Sequence, residues 1–200
     1  MRPLVVALSI VLPHAAYAQV IPPPVPPNLE VPAGNTAFRI DHAAGTQAYI
    51  CLPTFSRVPG DRIPTYAWTF FGPQATLFED NGEQVATHFL SPNPVDPVEN
   101  GTPRATWQDS RDTSRVWAGA ISVYGETDYV APGAIPWLLL RVVGRQLGYG
   151  GSDTLTVTTF LHRVNTAGGV APKNGCSSAN DVGSRALVPY AADYVFYRQQ

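Results

Sequence analysis

The 200-residue chain carries few charges: Asp, Glu, Lys and Arg make up 14% of it, against about 25% in ordinary globular proteins, and its formal net charge is −2. So weak a field offers no electrostatic footing for nucleic acid or for anionic lipid, which excludes functions built on either. With 20 prolines, 17 glycines and no convincing amphipathic helix, the chain is expected to form strands and loops.

The beginning has the organisation of an export signal. Arg2 gives a positive start, and Leu4 to Leu12 an apolar run about half the roughly 20 residues a spanning helix needs. Ala16-Tyr17-Ala18 then supplies a small-x-small cleavage pattern. Residues 1–18 therefore read as a signal peptide, no transmembrane segment is expected, and the expected location is secreted or periplasmic. Its removal takes Arg2 away and moves the formal charge to −3. Residues 19–28 contain Pro22-Pro23-Pro24-Val25-Pro26-Pro27, a stiff Pro-rich N-terminal arm that serves as a spacer or packs on the domain. Residues 29–200 are expected to form a single β domain.

Ten runs with strand character follow, at 36–40, 47–52, 66–71, 75–79, 84–90, 104–107, 116–124, 135–143, 155–164 and 188–197. Separated by Gly, Pro and Asn-Gly, they predict an all-β single-domain β-sandwich or barrel of roughly ten strands with long Gly/Pro-rich loops. Asn81-Gly82 is expected to form a two-residue type I′ hairpin turn. The run Ile135-Pro-Trp-Leu-Leu-Leu-Arg-Val-Val143 is almost continuously apolar, as a strand buried on both faces should be. Cys51 and Cys176 are the only cysteines, an even number in a chain read as exported, and they are expected to form one disulfide.

Two strands place polar residues where they need explaining. In 154–164, Leu155, Val157 and Leu161 share one parity with Arg163, so a guanidinium sits on the core side and must be paired. In 188–197, Val188, Tyr190, Ala192, Tyr194 and Phe196 alternate with Ala191, Asp193, Val195 and Tyr197, leaving Asp193 a lone carboxylate. The expected pairing is Arg163 with Asp193, or failing that with backbone carbonyls near Asn165 and Tyr190.

Several segments stand in a characteristic order: Ala86-Thr87-His88-Phe89, Thr106-Trp107-Gln108, Ser114-Arg115-Val116-Trp117, Ile135 to Leu140, Arg163 to Pro172 and Val188 to Tyr197. In these the chain resembles the small secreted bacterial and fungal proteins grouped as domain of unknown function 3455. The resemblance runs from about Pro26 to Tyr197 and implies a secreted single domain with no established activity and no catalytic residue to carry over. Against that pattern, 91–105 reads as an inserted loop.

A search for chemistry is mostly negative. No Gly-x-Ser-x-Gly, Ser-x-x-Lys, His-Glu-x-x-His, Cys-x-x-Cys or phosphate loop is present, so no catalytic residue, metal set or cofactor is assigned. His88 groups by parity with Ala86 and Leu90 and is expected to face solvent or a cleft, while His162 is expected to point outward. Trp107, with Tyr124, Tyr129 and Tyr149, could present rings to sugars. Asp96, Glu99, Asp109 and Asp112 gather in and after the inserted loop. The candidate ligand-binding set is His88, Trp107, Arg163, Asn165 and Asp193. The function expected is that of a secreted non-catalytic binding or envelope-associated module for an unknown extracellular ligand, with carbohydrate among the candidates. The alternative is an extracellular hydrolase or lyase acting on polymers, with a cross-strand site near His88. The first observation to discriminate them is whether His88 faces a pocket with a carboxylate in hydrogen-bond reach.

Overall fold

The structure is a computed structural model and describes residues 20–55, 63–95, 98 and 101–200. The expected signal peptide lies outside the described residues. Eight strands run in chain order: β1 (Asn35–Thr54), β2 (Thr65–Phe78), β3 (Gln84–Pro92), β4 (Pro103–Asp109), β5 (Arg115–Tyr124), β6 (Trp137–Gln146), β7 (Thr158–Gly168) and β8 (Arg185–Gln199). Each pairs antiparallel with the next, and β8 pairs antiparallel with β1, closing a barrel. Closure leaves no edge exposed for unwanted pairing.

The barrel settles the sandwich-or-barrel alternative and reduces ten strands to eight. The runs 36–40 and 47–52 are two halves of β1, and 66–71 and 75–79 are two halves of β2. Gly45 and Gly72-Pro73, which look like breaks, instead lie within continuous, paired strands. A β-carbon on Gly45 would collide with the backbone of Gln74 and Ala75, so only glycine lets β1 and β2 approach so closely there. Ala48 faces Gly72 and Tyr49 faces Phe70, leaving Phe71 as the extra residue of a β-bulge. The hairpin at Asn81-Gly82 also differs from expectation. Only Gly82 takes positive φ, its N–H donates to Glu79 O at 2.8 Å, and Asn81 Oδ1 accepts from Glu83 N. Leu155 belongs to a turn before β7 rather than to the strand, and Val157 is exposed.

Alternation along the strands builds two apolar clusters, one on each side of the wall. Inside lie Leu77, Trp107, Val116, Leu140, Leu155, Leu161, Tyr194 and Phe196 among others. Outside, Trp137, Leu139, Val164, Val195 and Tyr197 are covered by Leu29, with Val20, Val25 and Val31 of the N-terminal segment packed against them. The Pro-rich arm is therefore a strap over the outer face of β6, β7 and β8. That is why β6 reads as apolar on both faces: Leu138, Leu140 and Val142 look inward while Trp137 and Leu139 look into the strap.

The two ends of the barrel differ. At the end carrying the β2–β3, β4–β5 and β6–β7 connections, Arg39 Nε reaches Asp41 at 2.7 Å and its Nη1 reaches Asp109 at 2.8 Å, all three nearly inaccessible. Burial pushes the Asp41 carboxyl up from its ordinary range, against the opposing pull of Arg39. The other end carries the β1–β2, β3–β4, β5–β6 and β7–β8 connections. There Cys51, near the end of β1, is joined to Cys176 in the β7–β8 connection, as expected, with Cα atoms 5.5 Å apart.

Candidate functional site

Inward-facing side chains fill the barrel to about mid-height and leave a cavity of about 230 Å³ at the disulfide end. It is lined by residues of β2 through β8, an arrangement that only a closed sheet can make. Three of the five candidate residues come together in it: His88 from β3, Trp107 from β4 and Arg163 from β7. Tyr194 of β8 joins them.

The floor is a set of packed rings. His88 and Trp107 sit on facing positions of neighbouring strands, and their rings stack with centroids 4.2 Å apart. Tyr194 stands against both, at 5.1 and 5.2 Å. His88 is 4% exposed, so it faces the barrel interior and not solvent. Its Nδ1 lies 2.9 Å from Thr106 O; because a carbonyl can only accept, Nδ1 carries the proton and donates. Burial, helped by the nearby Arg163 charge, lowers the imidazole to about 3, so the ring is neutral at any physiological pH. Trp107 is wholly buried, and its Nε1–H has no acceptor among the described groups.

Arg163 shares the inner parity of Leu161, as its position predicts, and is half-buried at the side of the cavity. Its partner is not Asp193. The Arg163 Nε and Nη2 donate to the carbonyl of Pro136 at 3.2 and 2.8 Å, which leaves the expected backbone-carbonyl alternative correct in kind but on a different residue. Asp193 cannot reach it because Asp193 lies on the outer face of β8, between inward-facing Ala192 and Tyr194, with the barrel wall in the way.

Asn165 and Asp193 form a separate outer group. Asn165 has φ of +50° at the β7 bulge and donates from Nδ2 to Asp193 Oδ2 at 2.7 Å. The other Asp193 oxygen lies 2.7 Å from His42 Nδ1, and His42 Nε2 lies 2.7 Å from Asp80. Those contacts, Asp80 first and then Asp193, raise His42 above its usual value. The Gly169 that follows has φ of +83°, and a β-carbon there would press on Tyr190, Ile135 and Gln47, which explains the glycine pair in this motif.

The remaining expectations separate cleanly. His162 points out of the barrel as expected, yet it is buried beneath the strap, with Nε2 at 2.7 Å from Leu29 O and the Tyr197 hydroxyl at 3.0 Å from Nδ1. Tyr124 and Tyr129 pack with Trp137 under the same strap, Trp107 is internal, and only Tyr149 stands free, so no sugar platform forms from these four. Asp109 is committed to Arg39, and Asp112 accepts from Ser114 and Thr154 backbone N–H groups at the far end. Asp96 and Glu99 lie outside the described residues. No Asp or Glu lines the cavity among the described residues, so His88 has no carboxylate beside it. Tyr194, which the site needs, had a signal in the sequence: it shares the inward parity of Tyr190 and Phe196. His42 had none.

Fold and site together define a closed eight-stranded antiparallel barrel, packed at one end and hollow at the other around two arginines, Arg104 and Arg163, and three packed rings. Among the described residues no helix is long and apolar enough to cross a membrane. The chain belongs to the family described as "Protein of unknown function (DUF3455)", which matches residues 32–198. Comparison with curated proteins and with solved structures finds no match.

Proposed function

We propose that the protein is an exported, non-catalytic binding module whose ligand enters the hollow end of the barrel. The supporting observation is the cavity itself. Eight-stranded barrels have an interior just wide enough either to be filled by side chains or to hold one small ligand, and this one is filled at one end and leaves room of that size at the other. Export is supported by the signal-like start and by the Cys51–Cys176 bridge, a bond that persists in oxidising compartments. The non-catalytic reading is supported by the state of His88. Burial holds its basicity far below that of a working general base, and no described carboxylate lies beside it.

The test is whether the cavity binds small molecules. Ala120 is an exposed alanine at the cavity rim, and Ala120→Trp is expected to block entry without touching the packed interior. Ligands found by thermal-shift screening should raise Tm in the wild type and lose that effect in Ala120→Trp. Ligands that stabilise both proteins equally would place binding elsewhere and refute the proposal.

A further inference from the structure

We propose that the cavity takes a small carboxylate-bearing molecule with a flat apolar body, its carboxylate paired with the Arg163 guanidinium. The inference rests on the reading of the cavity as a ligand site and specifies what that site selects.

Charge is the first reason. A guanidinium has five N–H donors and stays protonated in proteins. The Pro136 carbonyl receives two of them, and the Tyr194 hydroxyl lies within hydrogen-bond reach of the same group. A carbonyl and a phenol satisfy donors but do not cancel charge. No ion pair joins Arg163 to a described carboxylate. Its uncompensated positive field reaches His88, Tyr49, Tyr190 and Tyr194. A half-buried guanidinium at the cavity wall, with no described carboxylate on it, can meet an entering carboxylate through short, charge-assisted hydrogen bonds to a planar fork that matches it.

Shape is the second reason. Phe70, Leu90 and Leu138 add apolar walls to the floor of packed rings, so the rest of the ligand meets carbon and aromatic faces. A cavity of roughly 150 Å³ holds benzene. In proportion, about 230 Å³ holds roughly nine non-hydrogen atoms, the size of one ring with a carboxylate attached. Arg104 is a second cation in this lining, and the lining supplies no negative group to repel an anion among the described residues.

The experiment compares matched probes on the intact, disulfide-bonded protein: benzoate with benzamide, and phenylacetate with phenylacetamide. Each acid is expected to bind at least tenfold more tightly than its amide by calorimetry, and Arg163→Met to abolish the difference. Arg163→Lys, which keeps the charge but not the fork, should retain part of it. The acid–amide comparison is made on wild type, so it stands even where a variant folds poorly. Equal binding of acids and amides, blocked by Ala120→Trp, would leave the binding module intact and overturn the carboxylate assignment. Inorganic phosphate binding as tightly as benzoate would overturn the apolar body. Absence of binding by every probe would overturn this inference, while the reading of the cavity as a site would then fall only with the wider ligand screen.

Discussion

At position 88 the chain buries a histidine against Trp107 and Tyr194, and this choice has a consequence for acid stability. Folding keeps the ring neutral down to about 3, whereas the unfolded chain takes up a proton near 6.5. The stabilisation is complete above about pH 6.5 and is lost as pH falls, by up to about 1.4 kcal/mol per pH unit. His162, lowered by burial under the strap, acts in the same sense. His42, raised by Asp80 and Asp193, acts in the opposite sense, its contribution being present below about 6.5 and lost as pH rises. His88→Phe keeps a ring against Trp107 and removes one titrating group. Between pH 6.5 and 4 the variant is expected to lose about 1 kcal/mol less per pH unit than wild type, measured by urea unfolding across that range. Identical slopes would show that His88 is not held neutral. At this scale the sequence was partly legible. Parity alone puts Arg163 inside, but its partner depends on which face of β8 turns inward. Both faces carry buried residues, so Asp193 looked available when it was across the wall.

Strands are legible as far as their side-chain pattern is unbroken. β3, β4 and β5 fall within two residues of the expected runs and β6 within three, because each has a clear apolar set and a turn on either side. β1 and β2 each read as two shorter runs, since Gly45 and Gly72-Pro73 carry the residue types of turns while lying inside paired strands. The strap shows a different limit. A Pro-rich segment announces stiffness, but what it covers is set by an outer stripe of Trp137, Leu139, Val195 and Tyr197 drawn from far along the chain. Leu29 is the fully buried anchor of this contact, and its carbonyl accepts from His162. Leu29→Ala is expected to lower the unfolding free energy by about 2–4 kcal/mol, as buried leucine truncations do. Denaturant midpoints will measure it, and a loss below about 0.5 kcal/mol would mean the strap is not part of the cooperative fold.

For the whole molecule, the pairing of β1 with β8 determines everything that the cavity depends on. It joins residues as distant as Asn35 and Gln199, and the Cys51–Cys176 bridge, spanning 125 positions, secures the same end-to-end closure beside the hollow end. In the chain-entropy account such a bridge contributes roughly 4–5 kcal/mol by restricting the unfolded chain. The double variant Cys51→Ser/Cys176→Ser is expected to lose about 2–5 kcal/mol in equilibrium unfolding. A loss near zero would show that strand pairing alone holds the closure. The even cysteine count made the bond legible, whereas the cavity was not, because it exists only once seven strands are assembled around it.

The strap also sets an order of events. Synthesis delivers it before any strand, but the surface it binds is built from β6, β7 and β8, the last strands to appear. For most of the time the polypeptide is being made, Val20 to Val31 have nowhere to dock. Pro22 to Pro27, five prolines in six residues, are stiff and offer a single backbone N–H for premature pairing, so a segment made before the barrel can wait to be placed after it.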